Sequence, residues 1–420
     1  MHMAKTIESF VPYLVGGVVT LWPLPIYLAF MDLRLFEVGM FIVYPIGLIC
    51  CLKKRVTVTA TNAITSPFFL FVLLNLASFL FFSRDFSFRF SPNIIGVGGS
   101  FIFFLLLTHL FRAGDVANVL RALMGALSLV TLYLLAMHLL VYESLYLTPA
   151  LTPSQFQVHG WAGRNPFGFL LVLLFPFVYA LFCQKRNMLS AAGVIISLSA
   201  IIYLLSRLAV GGVFLSMFVL SMFPSGERKR FIIPSIALLL AMAAGGVVLR
   251  VGPQDYLEWR RAAIVASGGQ ASPDMQWLNL SGSRGRYLRK GLQGFLQRPV
   301  FGHGIGSFSE ENPDLSPDGE VIRYPLTHND YVQVLYELGL LGFALFLWMF
   351  VYAFRRLLAV RESVPEEYRW LWNGQFTSLV VLAASLLMTN AYETVPFWLI
   401  LSGSIIIGTS RWSPGEALRQ

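Results

Sequence analysis

The residues with the clearest chemical potential are a histidine and a set of arginines in the second half of the chain. His328 and Asn329 begin the pattern His-Asn, nine residues, Gly339, two residues, Gly342, where a long polar stretch runs into an apolar segment. Imidazole, with an ordinary pKa of about 6.5, can accept a hydroxyl proton near neutral pH. A titratable group at the mouth of a membrane helix is costly and is a functional hypothesis by default. The open alternative is that His328 is only an interfacial polar residue.

Arginine is the second component. Arg207 follows Ser206 inside an otherwise apolar run, so its charge must lie at the membrane boundary or within the helical bundle. Arg284 opens a basic run with no acidic residue between 280 and 303, and a helix beginning at Ser283 would direct positive charge toward an anion. The pattern predicts that the protein handles a phosphate or pyrophosphate. For the basic run alone, attraction to anionic lipid headgroups is the open alternative.

The elements that must position these residues are membrane helices. Hydrophobic residues make up 56% of the 420 residues and charged residues only 13%, and the mean hydropathy of +0.67 excludes a water-soluble globule. We therefore predict an all-α integral membrane protein with about twelve transmembrane helices. The predicted spans are 10–30, 36–52, 65–82, 92–111, 119–141, 166–183, 188–205, 209–223, 231–251, 331–354, 371–389 and 395–410.

Basic loops predict the orientation. They fall on one side of the twelve-span arrangement, which places both termini in the cytoplasm, and no cleavable signal peptide is visible. The chain then divides into membrane helices in 1–251, one large external loop domain in 252–330, and further membrane helices in 331–420. The excess of 31 Lys and Arg over 22 Asp and Glu reflects this bias and does not indicate nucleic acid. Cys50, Cys51 and Cys183 map to cytoplasmic helix ends, so no disulfide is expected.

Within the loop domain, leucines at helical spacing predict a helix from Ser283 to Arg298, ended by Pro299. The glycine-rich segment 302–306 predicts a flexible turn. A helix beginning at about His328 would place residues 328, 331, 335, 339 and 342 on one face. The acidic residues between 310 and 320 lack regular calcium-ligand spacing and favour a solvated loop. No zinc-ligand cluster, paired aspartates or phosphate-binding glycine loop is present, so no metal and no cofactor are predicted.

These motifs resemble the bacterial O-antigen ligase and polymerase superfamily. The His328-Asn329 pattern is similar to that family's signature after its large external loop, and Ser206-Arg207 with Gly211 looks like its Ser-Arg segment. The segment from Gly282-Ser283-Arg284 to Gly302-His303-Gly304 and Phe308 is similar to its Gly-Arg and Pro-x-x-Gly-x-Gly loop. The chain departs from the pattern at His303, where a small apolar residue is usual, and at Leu288, where an aromatic residue is common.

The resemblance implies a GT-C-like glycosyltransferase of the bacterial inner membrane. Such an enzyme takes a glycan from undecaprenyl pyrophosphate on the periplasmic face, with inversion and without a metal ion. Its partners would be the undecaprenyl-pyrophosphate-linked glycan, lipid A-core oligosaccharide and membrane lipids. His328 would activate the acceptor hydroxyl, and Arg207 and Arg284 would hold the pyrophosphate. The accompanying substrate-binding residues are predicted to be Arg164, Arg286, Arg289, Asn329 and His303, and candidate sugar-stacking rings are Trp259, Trp277, Tyr287 and Tyr324.

Ligase and polymerase share this machinery and differ in the acceptor. The chain's moderate length and its single external domain late in the sequence favour a ligase. A polymerase of O-antigen or exopolysaccharide is the alternative. A transporter of polyprenyl-linked glycan fits less well, because it would place charged residues along a path through the bundle, whereas the predicted spans carry little charge.

Overall fold

The computed structural model describes residues 2–20, 35–53, 66–82, 91–142, 164–204, 207–223, 231–236, 283–315, 321–323, 326–410 and 412. The helices of the first half are α1 (His2–Thr20), α2 (Leu35–Lys53), α3 (Pro67–Phe82), α4 (Ser91–Leu110), α5 (Ala113–Tyr142), α6 (Arg164–Lys185), α7 (Met188–Leu204) and α8 (Arg207–Ser221). Residues 231–236 are also helical. The second half contains α9 (Ser283–Gln297), α10 (Ser307–Glu311), the strands β1 (Asp314–Leu315) and β2 (Val321–Arg323), α11 (Asp330–Val360), a 3-10 turn (Glu366–Tyr368), α12 (Arg369–Ser385) and α13 (Val395–Thr409).

The part of the chain that the structure describes is helical apart from the short antiparallel pair β1–β2 and the connecting turns. Among the residues that the structure describes, three helical stretches are long and apolar enough to cross a membrane: Ala113–Leu132, Pro166–Lys185 and Asp330–Val360. Shorter apolar helices pack beside them. The predicted helical fold with several apolar helices is therefore confirmed, and it is consistent with a multi-pass membrane protein. The number of spans, their orientation and the domain limits stay predictions.

Three central helices share one end of the bundle. α6 and α12 are antiparallel. The Trp370 N–H at the start of α12 donates to the Gln184 side chain at the end of α6, at 3.1 Å, whereas the Ser378 hydroxyl farther along α12 donates to the Leu173 carbonyl earlier in α6, at 2.7 Å. The connections from α6 to α7 and from α7 to α8 are each two residues long, so the chain reverses twice and α8 runs parallel to α6. The two helices are in contact, because Gly212 of α8 lies directly against Val172 of α6. At a rise of about 1.5 Å per residue, the starts of α6 and α8 lie at nearly the height of the end of α12. Arg164 and Arg207, the first residues of α6 and α8, are thereby placed at that end.

α11 is broken at Gly339. This glycine has φ 63° and ψ −163°, a conformation outside any helix. The ring of Tyr331 lies 6.3 Å from that of Phe343 and 5.8 Å from that of Phe346, so the first segment bends back along the second. The prediction of one continuous helical face from residue 328 to residue 342 is therefore wrong. His328 itself precedes the helix, which begins at Asp330.

α9 packs along the first segment of α11, as its glycines allow. A Cβ atom on Gly291 would lie 2.5 Å from Val332, and one on Gly294 would lie 2.1 Å from Tyr336. Because the contacts advance together along both helices, α9 and this segment are parallel. The helix predicted from Ser283 is confirmed, with its end at Gln297.

The glycine turn after α9 closes the break in α11. Its glycines 302, 304 and 306 all have positive φ, between 72° and 108°. The backbone N–H groups of His303 and Gly304 donate to the carbonyls of Tyr336 and Glu337, at 2.9 and 2.8 Å, and the Leu340 N–H donates to the Pro299 carbonyl at 2.8 Å. The backbone groups left without helical partners at Gly339 are thus satisfied. The turn predicted at 302–306 is confirmed, while its predicted flexibility stays a prediction.

Candidate functional site

His328 stands at the end of the bundle where α11 begins. Its φ of 56° lies in the left-handed region, which non-glycine residues seldom adopt and which often marks functional positions. The side chain is half-buried. Thr327, the residue before His328, is held in place by two hydrogen bonds. Its hydroxyl donates to the Asn329 carbonyl at 2.7 Å, and its N–H donates to the side chain of Gln333 at 3.1 Å.

Asn329 fixes the residue on the other side of His328. Its side-chain oxygen accepts from the Val332 N–H at 3.1 Å and so caps α11. Its amide nitrogen donates to the Leu387 carbonyl, also at 3.1 Å, just beyond α12. The structure therefore gives Asn329 a role in holding the His328 backbone, while the predicted binding of substrate by Asn329 stays a prediction.

Buried carboxyl groups lie beneath this site, and the sequence reasoning overlooked them. Asp330 is fully buried and accepts from the N–H groups of Ala391 and Tyr392 at 2.7 and 3.0 Å. Glu337 is also fully buried and accepts from the Tyr392 hydroxyl at 3.2 Å. Glu337 is a signal that the sequence offered, because it lies inside the predicted span 331–354, and charged residues inside membrane spans are rare and usually have a function. Asp330 lies just before that span and gave no such signal.

Glu393 adjoins these carboxyl groups and is half-buried in the turn between α12 and α13. Burial raises the pKa of its carboxyl from 4.5 to about 7. Its backbone carbonyl accepts from the Ser100 hydroxyl at 3.0 Å, which ties the turn to α4. The turn therefore joins α4, α11 and α13 directly below His328.

The arginines of α9 do not all face the same way. Arg284 lies on the same face of α9 as Gly291 and Gly294. It precedes Gly291 by two helical turns, which is about 10 Å. Gly291 in turn adjoins Thr327. Arg284 is thus placed on the side of α9 that meets the start of α11. Arg289 lies on the opposite face, and its side chain is exposed.

Arg286 is exposed and packs on a neighbouring aromatic ring. Its guanidinium carbon lies 5.2 Å from the ring centroid of Tyr287. Tyr287 is buried against Phe308 and Tyr336, so this ring packs the loop domain. The structure therefore does not bring Arg286 and Arg289 to His328, and their binding roles stay predictions. The other proposed stacking rings, Trp259, Trp277 and Tyr324, lie outside the described residues.

Arg207 and Arg164 are brought to the same end of the bundle as His328 through the starts of α8 and α6. Their side chains lie outside the described part of the structure. Helix N-termini carry partial positive charge and unpaired N–H groups. The starts of α6, α8 and α11 therefore add to the positive potential at this end, which suits an anionic substrate.

His303 is buried within the loop domain rather than placed beside His328. Its Nε2 lies 3.0 Å from the Gly294 carbonyl, and its Nδ1 lies 3.2 Å from a carboxylate oxygen of Glu311. Its ring stacks on Tyr336 with centroids 4.4 Å apart. These contacts tie α9, α10 and α11 together, and the binding of substrate by His303 stays a prediction.

The matched region of the chain contains most of this site. Residues 170–347 match the family model described as O-antigen ligase; this region includes Arg207, Arg284, His328 and the break at Gly339. No curated protein matches the chain. The match confirms the resemblance found in the motifs: residues 170–347 of this chain are similar to the O-antigen ligase family.

Proposed function

We propose that this protein is an O-antigen ligase. It transfers O-antigen polysaccharide from undecaprenyl pyrophosphate to lipid A-core oligosaccharide on the periplasmic face of the inner membrane. The observation that carries the proposal is the placement of His328. It is held in a left-handed conformation between two anchored residues, at the end of the bundle where helices beginning with arginine converge.

The reaction follows from these groups. His328 takes the proton of the acceptor hydroxyl, and the acceptor oxygen attacks the anomeric carbon of the donor glycan. The bond between that carbon and the pyrophosphate oxygen breaks, and undecaprenyl pyrophosphate leaves with the electron pair. Attack opposite the leaving group inverts the anomeric centre. General-base assistance of this kind contributes about 10²- to 10⁴-fold in rate.

Arg207 and Arg284 hold the pyrophosphate in this mechanism. Guanidinium groups remain charged and bind two phosphate oxygens at once, so they stabilise the charge that develops on the leaving group. Arg284 suits this role because it lies on the face of α9 that meets the start of α11. Arg164 provides a further positive charge at the start of α6. No metal ion is assigned to this step.

The test is transfer by purified protein in liposomes that contain undecaprenyl-pyrophosphate-linked polysaccharide and lipid A-core. We expect glycosylated lipid A-core with the wild-type protein. We expect a loss of at least 10²-fold with His328→Ala, while donor binding is retained because the arginines bind it independently.

A matched control is His109→Ala, because this histidine lies far from the proposed site. Gly96 of α4 adjoins Glu393 below the site, and His109 lies about 20 Å farther along the same helix. Donor chains that lengthen without lipid A-core would indicate a polymerase. Movement of intact donor across the bilayer would indicate a transporter. Wild-type transfer by His328→Ala would remove the histidine from the mechanism.

A further inference from the structure

α9 carries a second apolar face in addition to the one that packs on α11. Leu288, Leu292 and Leu296 recur every four residues and so form one stripe. All three are exposed, and Leu296 is 73% exposed. An exposed stripe of leucines costs free energy in water and marks an interaction surface when it joins a larger apolar patch.

The leucine stripe of α9 continues onto the surface of a membrane helix. Val300 and Phe301, just after α9, are 53% and 54% exposed. The Leu341 N–H donates to the Val300 carbonyl at 3.3 Å, and Leu340 and Leu341 are exposed themselves. Further along α11, exposed apolar side chains follow at Leu347, Trp348 and Val351. The 21 residues of α11 after Gly339 span about 30 Å, which matches the apolar thickness of a bilayer, and an exposed apolar surface on such a segment suits contact with lipid.

The charges of α9 complement a phospholipid surface. No Asp or Glu occurs between residues 275 and 309. Within α9, Arg289 is exposed and lies beside the leucine stripe, and Arg286 and Lys290 lie beyond it. A helix with leucines on one face and Arg and Lys on the next has the composition of helices that lie in a membrane interface.

We propose that α9 is an interfacial helix that rests on the phospholipid surface beside Gly339. Leu288, Leu292 and Leu296 enter the boundary of the acyl chains, and the neighbouring basic side chains bind headgroup phosphates. The membrane would then fix the depth of α9, in addition to the contacts that α9 makes with α11. This placement goes beyond the proposed ligation, and it holds for any reaction carried out at the site.

The experiment compares nitroxide labels at two adjacent exposed positions, Leu292→Cys and Gln293→Cys. The full chain is used, with Cys50, Cys51 and Cys183 replaced by alanine, in liposomes of phosphatidylethanolamine and phosphatidylglycerol. We expect the label at 292 to collide several-fold more with oxygen, which concentrates in the bilayer, than with a water-soluble nickel chelate. We expect the reverse preference at 293.

Equal access of both labels to the nickel chelate would overturn the proposal, because the stripe would then face water. Protection of the label at 292 from both reagents would indicate a protein partner instead, and dipolar broadening between labels would indicate a second copy of the chain. Replacing phosphatidylglycerol with phosphatidylcholine should move the label at 292 toward water. An unchanged depth would refute the part assigned to the basic side chains.

Discussion

The rings of Tyr331 and Phe346 lie 5.8 Å apart, although fifteen residues separate them and one continuous helix would hold them about 22 Å apart. Gly339 makes this contact possible by reversing the course of α11. The short segment before Gly339 is thereby pressed against the membrane-length segment after it. The reversal brings the start of α11, and with it His328, to the end of α12.

Replacing Gly339 with alanine should destabilise the protein and reduce transfer. Alanine at φ 63° and ψ −163° costs about 1–3 kcal/mol in backbone strain, and its Cβ atom would lie 2.3 Å from the Val300 carbonyl oxygen. Thermal unfolding in detergent and the liposome assay measure the two effects. Gly125→Ala is the matched control, because nothing lies within 4 Å of a Cβ atom there. Equal stability of the two variants would contradict the assigned strain.

Variants of Asn329 separate positioning from substrate binding. Asn329→Ala removes the cap of α11 and should cost about 1 kcal/mol of stability, whereas Asn329→Ser keeps an acceptor for the Val332 N–H. Both variants lose the hydrogen bond to Leu387, so we expect slower transfer in both with donor affinity unchanged. Transfer rate, donor binding and thermal stability should be measured together. Weaker donor binding by Asn329→Ser would instead support direct contact with substrate.

Two arginines on opposite faces of α9 provide a test of the anion site. Arg284→Lys should lower transfer by about tenfold or more, since a lysine ammonium cannot reproduce a bidentate contact to phosphate oxygens. Arg289→Lys should transfer at nearly the wild-type rate, because that face points away from the start of α11. The two rates are compared at saturating donor. Equal losses would show that the face of α9 does not decide the role of its arginines.

Glu393 should make stability depend on pH. The pKa of its carboxyl is raised from 4.5 to about 7 by burial, so the folded state favours the protonated form. The resulting stability is fully present below pH 4.5 and is lost as pH rises through about 7. Glu393→Gln does not titrate, and its stability relative to wild type should therefore increase across this window, by on the order of 1–3 kcal/mol.

The measurement is the melting temperature of the wild-type and Glu393→Gln proteins at pH values from 4.5 to about 7. Asp330, Glu337 and Tyr392 interact electrostatically with Glu393, so the pH-dependent difference between the two proteins also includes the effect of the Glu393 charge on these three groups. A difference that stays constant with pH would rule out the titration of Glu393 as its cause.

Transfer should continue in excess chelator, because the proposed mechanism uses arginine guanidinium groups, and no metal ion, to stabilise the negative charge of the departing pyrophosphate. The measurement is the rate in liposomes before and after chelation. Loss of activity that returns on adding Mg²⁺ or Mn²⁺ would show that a metal ion, and not arginine alone, stabilises the leaving group.

The sequence by itself determined the local elements and the chemical types at the site. Apolar length predicted the membrane helices, leucine spacing predicted α9, and the glycines at 302, 304 and 306 predicted the turn, because each of these follows from interactions between residues close in the chain. The order of His, Asn and Arg motifs was sufficient to predict a resemblance to the O-antigen ligase family, and the match over residues 170–347 confirms this resemblance for that region.

Only the tertiary structure decided how these elements meet. Glycine permits the conformation at 339, but the Pro299 and Val300 carbonyls across the turn stabilise the break, and the periodicity of α11 alone predicted a continuous face. The separate orientations of Arg284 and Arg289 likewise depend on which side of α9 meets Thr327. Asp330 and Glu337 are tolerated in an apolar helix because the turn at 391–392, which is distant in the sequence, supplies hydrogen-bond donors. Its N–H groups donate to Asp330, and the Tyr392 hydroxyl donates to Glu337. Long-range hydrogen bonds of this kind leave no local pattern in the sequence.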